Sequence, residues 1–247
     1  MRRGARRHAR PTAAAAADGP YHDRVIDKVV ASADEAVAGV RDGDVVLVGG
    51  FGNVGVPVHL IEALVRLGRR DLTIVSNNCG TGETGLALLF KHHLVRKACA
   101  SFPAQAGNHH FAAAYESGEC ELELVPQGTL AERLRAAAAG LGGFYTPTGA
   151  GTDLMAGKET REIEGRLHVL EQPLRGDVAL VTAFRGDRFG NLRHRLSARN
   201  FNPVMAMAAR HTVAEVAEVV PPGSIDPDDV HTPGIFVDRV VQVGGAP

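Results

Sequence analysis

Apolar and polar positions follow two repeating patterns along most of the chain. Short β-branched runs bounded by turn residues, such as 45–48 and 178–183, are typical of strands buried on both faces. Between such runs, apolar residues recur at helical spacing, as in Leu60, Ile61 and Leu64. This alternation predicts an α/β domain with a largely parallel sheet flanked by helices, joined by right-handed crossovers.

The predicted elements are assigned from these patterns and from turn residues. Helices are predicted over 25–40, from Pro57 onward, over 84–91 and 111–117, in the Ala-rich segment after Thr129 and over 204–210. Strands are predicted over 45–48, 72–75, 95–101, 121–125, 167–170, 178–183, 213–220 and 236–243. The Gly/Thr/Pro-rich segment 144–152 predicts a long loop without regular structure.

One domain is predicted over residues 21–247, preceded by an extension over 1–20. The extension is rich in Arg and Ala, shows no apolar periodicity and is predicted to be disordered. An Arg-rich, acid-poor start can also mimic an organelle transit peptide. Arg outnumbers Lys throughout the chain, so an Arg-rich start is not specific to a transit peptide. We therefore favour a solvated tail, or a start codon assigned too far upstream.

Composition excludes several function classes. A net charge of −1, 5% aromatic residues and the absence of Trp argue against binding to nucleic acid. The three cysteines lack C-x-x-C spacing, which fits a reducing cytoplasm and neither a disulfide framework nor a zinc site. No apolar run approaches the roughly 18 residues that span a bilayer. The adjacent histidine pairs at 92–93 and 109–110 are interpreted as surface residues, so no metal is expected.

The stretch 42–57 predicts a strand, a tight loop and a helix, with four glycines in the loop. Glycines permit positive φ and close approach of a ligand, so several N–H groups could point at one anionic oxygen. An ordinary strand-to-helix connection is the alternative.

The same loop contains a G-x-G-x-x-G pattern in Gly50, Gly52 and Gly55, which suggests a dinucleotide-binding module. That module requires an acid at the end of the second strand, but Ser76-Asn77-Asn78 stands there. The dinucleotide module is therefore kept only as an alternative of a different class.

The whole stretch from Asp42 to Pro57 resembles the first signature of the family I coenzyme A transferases. The pattern is Asp-Gly, two free positions, three apolar residues, Gly-Gly-Phe, three free positions, Gly, one free position and Pro. The resemblance to the α subunits of the 3-oxoacid and 3-oxoadipate transferases covers nearly all of residues 23–243. Five further matching segments carry it: 76–78, 123–133, 144–149, 198–203 and 231–235.

The resemblance implies a layered CoA-transferase-like fold, shared with sugar-phosphate isomerases, and a reaction. Such enzymes move CoA from an acyl-CoA, commonly succinyl-CoA, to a 3-oxo acid through a glutamate that forms an anhydride and then a thioester. That glutamate lies in a Ser-Glu-Asn-Gly motif of the β subunit, which this sequence lacks. The resemblance therefore implies a β subunit as partner, in an αβ or α2β2 assembly. A sugar-phosphate isomerase, which needs no such partner, is a further alternative.

Site residues also follow from the resemblance. Asn77 is expected to stabilise an oxyanion, with a local turn cap as the alternative. The CoA thioester is expected as a substrate, without a permanently bound cofactor. Binding of CoA is assigned to the loop residues Gly49, Gly50, Phe51, Gly52, Asn53, Val54 and Gly55.

The acceptor acid is expected to be 3-oxoadipate, with acetoacetate as the alternative. The segments 79–86, 95–97 and 101–103 look closer to the 3-oxoadipate branch, which serves degradation of aromatic compounds through the β-ketoadipate pathway. A dicarboxylate acceptor needs a donor for its distal carboxylate. An Arg, a loop amide or the β subunit remain open for that role.

Overall fold

A mostly parallel β-sheet forms the middle layer of the protein. The computed structural model describes residues 26–244, so the predicted extension over 1–20 lies outside the described residues. The strands of this sheet are β1 Val29–Val30, β2 Val45–Val48, β3 Leu72–Asn78, β4 Val95–Phe102, β5 Glu121–Leu124, β9 Gly176–Asp187, β10 Leu192–Arg193, β11 Ala209–Val220 and β12 Arg239–Gln242. Within the described residues these nine strands follow the order β1-β12-β11-β9-β2-β3-β4-β5, with β10 pairing antiparallel to β9 and the other pairs parallel.

Helices cover both faces of this sheet and complete three layers. The first four pack on one face and the last two on the other, which confirms the predicted α/β class. Among the described residues, no helix combines the length and apolar character needed to cross a membrane. The helices are α1 Ala33–Val37, α2 Val58–Leu67, α3 Ala87–Lys91, α4 His109–Glu116, α5 Gln127–Ala138 and α6 Asn202–Ala208.

Strand β2 shows how the apolar run builds two cores. Successive side chains of a strand point to opposite faces. Val46 and Val48 therefore pack with the core beneath α1–α4, whereas Leu47 packs with the core beneath α5 and α6. All three side chains are fully buried, as predicted for a strand covered on both faces.

A second, antiparallel sheet was not predicted. It consists of β6 Phe144–Thr146, β7 Thr160–Ile163 and β8 Arg166–Glu171, in the order β6-β8-β7. The prediction of an irregular loop over 144–152 is therefore wrong for its first three residues. Tyr145 pairs with Leu170, 25 positions further along the chain, so the local composition could not reveal this strand.

The predicted helix over 25–40 is also wrong over most of its length. Residue 25 lies outside the described residues, Val29–Val30 forms β1, and the helix is limited to Ala33–Val37. Ser32 ends the extended segment because its hydroxyl accepts the Glu35 N–H at 3.1 Å, which caps α1. Pairing with β12, far along the chain, selects the strand over the helix.

Two elements near the candidate site have ends that differ from the prediction. Strand β3 continues to Asn78, three residues beyond the predicted end, so Asn77 lies within a strand. Helix α3 begins at Ala87 instead of residue 84, which leaves a longer loop after β3. The other predicted strands and helices are present, with ends that differ by a few residues.

A buried histidine joins three segments near the carboxyl end of β9. The carbonyl oxygen of Thr182 lies 3.0 Å from Nδ1 of His194, and the Thr232 hydroxyl lies 3.0 Å from its Nε2. A carbonyl only accepts, so Nδ1 donates and Nε2 accepts from Thr232. Burial lowers the pKa of His194 to about 4, and His231 and Arg199 act in the same direction.

We predict that this histidine makes stability depend on pH. The unfolded chain binds the proton near pH 6.5 and the folded chain only near pH 4, so stability is complete above 6.5 and falls as the pH drops towards 4. Between pH 7 and 5 the loss should be on the order of 2 kcal/mol. Urea unfolding of wild type, His194→Gln and the exposed-site control His92→Gln measures it. A slope that is unchanged in His194→Gln would contradict the prediction.

Candidate active site

The glycine loop, residues 49–55, leaves β2 at the carboxyl edge of the sheet. Phe51 and Val54 exchange both backbone hydrogen bonds, at 3.0 and 3.1 Å, and form a miniature hairpin. Gly52 stands at its tip with a φ of +58°, a conformation that favours glycine. The side chains of Phe51 and Val54 are about half exposed, so the hairpin presents apolar surface to solvent.

Three asparagine side chains hold three carbonyl groups of the glycine loop. The amide of Asn78 donates to the carbonyl of residue 52 at 3.1 Å. Asn200 donates to the carbonyl of residue 54 at 3.0 Å, and Asn202 to that of residue 55 at 2.9 Å. The loop is therefore tied to β3 on one side and to the start of α6 on the other.

These three contacts also set the direction of the loop N–H groups. In a planar trans peptide, the N–H points opposite to the preceding C=O. The N–H groups of Asn53 and Gly55 therefore point away from the Asn78 and Asn200 side chains that hold the preceding carbonyls. In the part of the chain that the structure describes, neither N–H has an acceptor. The loop thus keeps backbone donors available for an anionic or carbonyl oxygen.

Asn202 fixes the base of the loop by packing as well as by hydrogen bonds. Its side chain is fully buried, and its Oδ1 accepts the Thr182 N–H at 2.9 Å. A Cβ added to Gly49 would lie 1.9 Å from that oxygen. Gly49 is therefore required for the close approach of α6, whereas Gly52 is required for its backbone conformation.

The helix that follows the loop is held by a buried carboxylate. Glu215 of β11 is 2% exposed, and its Oε2 accepts the Leu60 N–H at 2.9 Å. Its position at the amino end of α2 satisfies a free N–H and complements the helix dipole. Burial raises the pKa of Glu215, against the opposing effect of the Leu60 hydrogen bond and of His59.

Asn77 and Asn78 lie on opposite faces of β3. Asn78 makes the local turn contact, since its Oδ1 accepts the Gly80 N–H at 2.8 Å. Asn77 follows the alternation of Val75, whose side chain packs in the core beneath α5 and α6. It is 4% exposed, and its Nδ2 has no hydrogen-bond partner among the described residues. An unsatisfied buried donor is unusual and calls for an explanation.

A cavity of about 490 Å³ opens on this face, beside the glycine loop. It lies between α5, α6 and the short 3-10 turn Leu196–Arg199. None of the described residues that line it is acidic. Its walls include Phe51, Gln127, Arg135, Arg199, Phe201 and Val204.

The two arginines of this cavity were not identified from the sequence. Arg135 lies in an Ala-rich helical segment and Arg199 in a matched motif, but neither pattern indicates which way a side chain points. Only the packing of α5 beside α6 brings them to one cavity.

The histidines at 109 and 110 come together with an acid, which the sequence interpretation did not foresee. They begin α4, and each places Nε2 near Oε1 of Glu83, at 3.1 and 2.8 Å. Lys91 contacts the other carboxylate oxygen at 2.6 Å and lowers the pKa of Glu83 to about 2, together with both histidines. The two histidines and Glu83 could hold a metal ion, although the lysine would compete for it. The absence of a metal therefore stays a prediction.

The three cysteines are buried free thiols. Burial raises the pKa of Cys99 to about 12 and that of Cys120 to about 11, and it raises the pKa of Cys79 as well. Thiols with raised pKa values remain protonated and are poor nucleophiles. Thiolate catalysis by these residues is not indicated.

Comparison with known proteins identifies the class to which this fold and site belong. The family model described as coenzyme A transferase matches residues 30–243. That match covers well over half of the chain, and the chain therefore belongs to the coenzyme A transferase family.

Curated relatives are similar over most of their length. The α subunit of 3-oxoadipate CoA-transferase from Pseudomonas putida is 54% identical, covering 90% of this chain and 96% of the relative. The protein of the same name from Acinetobacter baylyi is 53% identical, covering 90% and 98%. The α subunit of succinyl-CoA:3-ketoacid coenzyme A transferase from Helicobacter pylori strain J99 is 46% identical, covering 88% and 93%.

Solved structures share the fold. Glutaconate coenzyme A-transferase from Acidaminococcus fermentans superimposes with a TM-score of 0.77 at 22% identity, covering 88% of this chain and 76% of that one. An acyl-CoA transferase of Escherichia coli O157:H7, in a thioester complex with CoA, gives a TM-score of 0.76 at 24% identity. The match covers 90% of this chain and 49% of that structure, so this chain spans about half its length. These likenesses confirm the layered transferase-like fold.

The contact between Gly49 and Asn202 leads to a prediction. Gly49→Ala should destabilise the chain by about 2 kcal/mol or more, because the methyl group would displace a buried, hydrogen-bonded amide. Gly39→Ala is the matched control, since a Cβ there meets nothing within 4 Å. Denaturant unfolding of the two variants compares them. Equal stabilities would contradict the packing role of Gly49.

Proposed function

We propose that this chain is the α subunit of a CoA-transferase that moves CoA from succinyl-CoA to 3-oxoadipate, giving succinate and 3-oxoadipyl-CoA. The observation that carries the proposal is that, among the described residues, two N–H groups of the glycine loop and the buried amide nitrogen of Asn77 have no hydrogen-bond partner, in a chain of this family. Relatives named for 3-oxoadipate are 53–54% identical over 90% of the chain. Succinyl-CoA:3-oxoacid transfer, with acetoacetate as acceptor, is the second candidate, supported by relatives named for 3-ketoacids.

The reaction begins when a carboxylate attacks the thioester carbonyl of succinyl-CoA. A tetrahedral oxyanion forms, CoA leaves as a thiolate, and a mixed anhydride remains on the glutamate. The thiolate then attacks the glutamyl carbonyl, which releases succinate and leaves a glutamyl-CoA thioester. The same steps in reverse, with 3-oxoadipate, form the product and regenerate the carboxylate. A covalent nucleophile thus divides one difficult exchange into easier steps.

This chain contributes electrostatic stabilisation and binding. Asn77 donates its Nδ2–H to the oxyanion, and a preorganised donor of this kind is worth roughly 3–4 kcal/mol in the transition state. Its burial and lack of another partner among the described residues support this role. The glycine loop binds CoA through the backbone N–H groups that have no acceptor among the described residues and through the apolar surface of Phe51 and Val54.

The nucleophile comes from the β subunit. The sequence has no Ser-Glu-Asn-Gly motif, and no acid is found among the described residues that line the cavity. Glutamates of this chain that could in principle replace it are engaged with other side chains. The contacts are Glu83 with Lys91, Glu132 with Arg135, Glu159 with Tyr145 and Glu171 with Lys158. Such engaged carboxylates are poorly placed for attack. We also place the complex in the cytoplasm, which agrees with the free thiols.

We predict opposite effects for two neighbouring asparagines. Asn77→Ala should lower kcat by about a hundredfold or more, because an oxyanion donor acts in the transition state. Its melting temperature should stay close to that of wild type, since its amide nitrogen makes no hydrogen bond among the described residues. Asn78→Ala is the control and should lose stability with its loop and turn contacts. A fall in stability for Asn77→Ala that matched its activity loss would favour a structural role.

We also predict that activity requires the partner. The purified chain alone should not exchange CoA between succinyl-CoA and a 3-oxo acid, whereas the complex with the β subunit should. Comparing kcat/KM for 3-oxoadipate and acetoacetate then decides the acceptor. A clear preference for acetoacetate would select the second candidate, and exchange by the chain alone would refute the two-subunit proposal. Tight binding of NAD by the chain would instead favour the dinucleotide module.

A further inference from the structure

We propose that the cavity beside the glycine loop binds the distal carboxylate of the substrates, with Arg199 as the principal ligand and Arg135 as the second. The inference rests on the proposed function and names the residue that sets the substrate class. It assigns to this chain a carboxylate subsite.

The cavity lies on the correct side of the sheet for this role. Asn77 points to the face beneath α5 and α6, and those two helices form two walls of the cavity. Phe51 of the glycine loop forms another wall. The proposal places the acyl group with its carbonyl oxygen at Asn77 and its far end in this cavity.

The charges of the cavity favour an anion. Arg135 and Arg199 line it, and none of its described lining residues is acidic. Arg199 forms no ion pair with a carboxylate of the described residues, whereas Arg135 is paired with Glu132. A guanidinium binds a carboxylate through two parallel hydrogen bonds. Arg199 is thus the free ligand and Arg135 the supporting charge.

The volume and lining of the cavity are compatible with a short dicarboxylate. Its volume of about 490 Å³ falls within the range of roughly 300–1,000 Å³ that is usual for small-molecule sites. Phe51, Phe201 and Val204 provide apolar walls against which methylene groups can pack. Apolar walls with a few placed polar groups are typical of such sites.

One subsite serves both substrates. The donor's succinyl group and the acceptor 3-oxoadipate each carry a carboxylate at the far end of a short chain. Because both react at the same glutamate in turn, their acyl groups enter the same cavity in successive half-reactions. A cation in that place contributes to both half-reactions, and acetoacetate, without a distal carboxylate, gains nothing from it.

Paired acceptors test this subsite in the complex with the β subunit. In ping-pong kinetics, kcat/KM for the acceptor reports only its own half-reaction, so the donor does not interfere. Arg199→Gln should lower kcat/KM for 3-oxoadipate by about 10- to 100-fold, the usual effect of losing a charged hydrogen bond. For 3-oxohexanoate, which has the same chain length without the distal carboxylate, kcat/KM should change by less than about threefold. Inhibition by the product succinate should weaken in parallel with the loss on 3-oxoadipate.

Arg195→Gln is the matched control. Its guanidinium lies over the ring of Phe184 at 5.4 Å and does not line the cavity, so both acceptors should react as with wild type. Arg199 is exposed, and the melting temperature of Arg199→Gln should equal that of wild type. Equal losses on both acceptors, or no loss on 3-oxoadipate, would overturn the subsite. Failure of the wild-type complex to transfer CoA to both 3-oxoadipate and acetoacetate would instead refute the proposed function.

Discussion

The hydrogen bonds from three asparagine amides to the glycine loop are the constraint on which the candidate site depends. A loop with four glycines has many accessible conformations, and fixing it costs more backbone entropy than fixing other residues. Three asparagines offset this cost, because the side-chain amide of each donates a hydrogen bond to one loop carbonyl group. They are Asn78, Asn200 and Asn202. The orientation of the remaining N–H groups follows from the planarity of the peptide.

The same constraint connects the two faces of the sheet. Asn78 reaches the loop from the face of α1–α4, while Asn202 reaches it from the face of α5 and α6. Asn77 precedes Asn78 in β3, and its side chain points to the second face. A shift of one residue in β3 would exchange the roles of Asn77 and Asn78, since neighbouring side chains of a strand point in opposite directions. The register of β3 between β2 and β4 therefore decides which asparagine is free.

Sequence patterns predict those helices and strands that are encoded by the apolar and turn residues of their own segment. The apolar run of β2, the helix after Pro57 and the parallel sheet follow from hydrophobic periodicity and were confirmed. Strands β6 and β1 could not be recognised in this way, because distant partners β8 and β12 stabilise them.

The candidate site was predictable to a similar extent. The resemblance to the transferases led to the glycine loop and to Asn77. The roles of Asn202 and Arg199 depend on contacts with residues far away in sequence. No spacing rule can supply such contacts.

The distance along the chain between the loop and its anchors has a consequence for folding. Strand β2 pairs with β9, about 130 positions later, and Asn202 reaches the loop across 147 positions. Contacts of such long range form late, because a large chain segment must be closed first. During synthesis on the ribosome, the loop therefore emerges long before α6 exists to hold it. The loop can be held in its final position only once α6 has been made, and shortened translation products that end before α6 would lack the site.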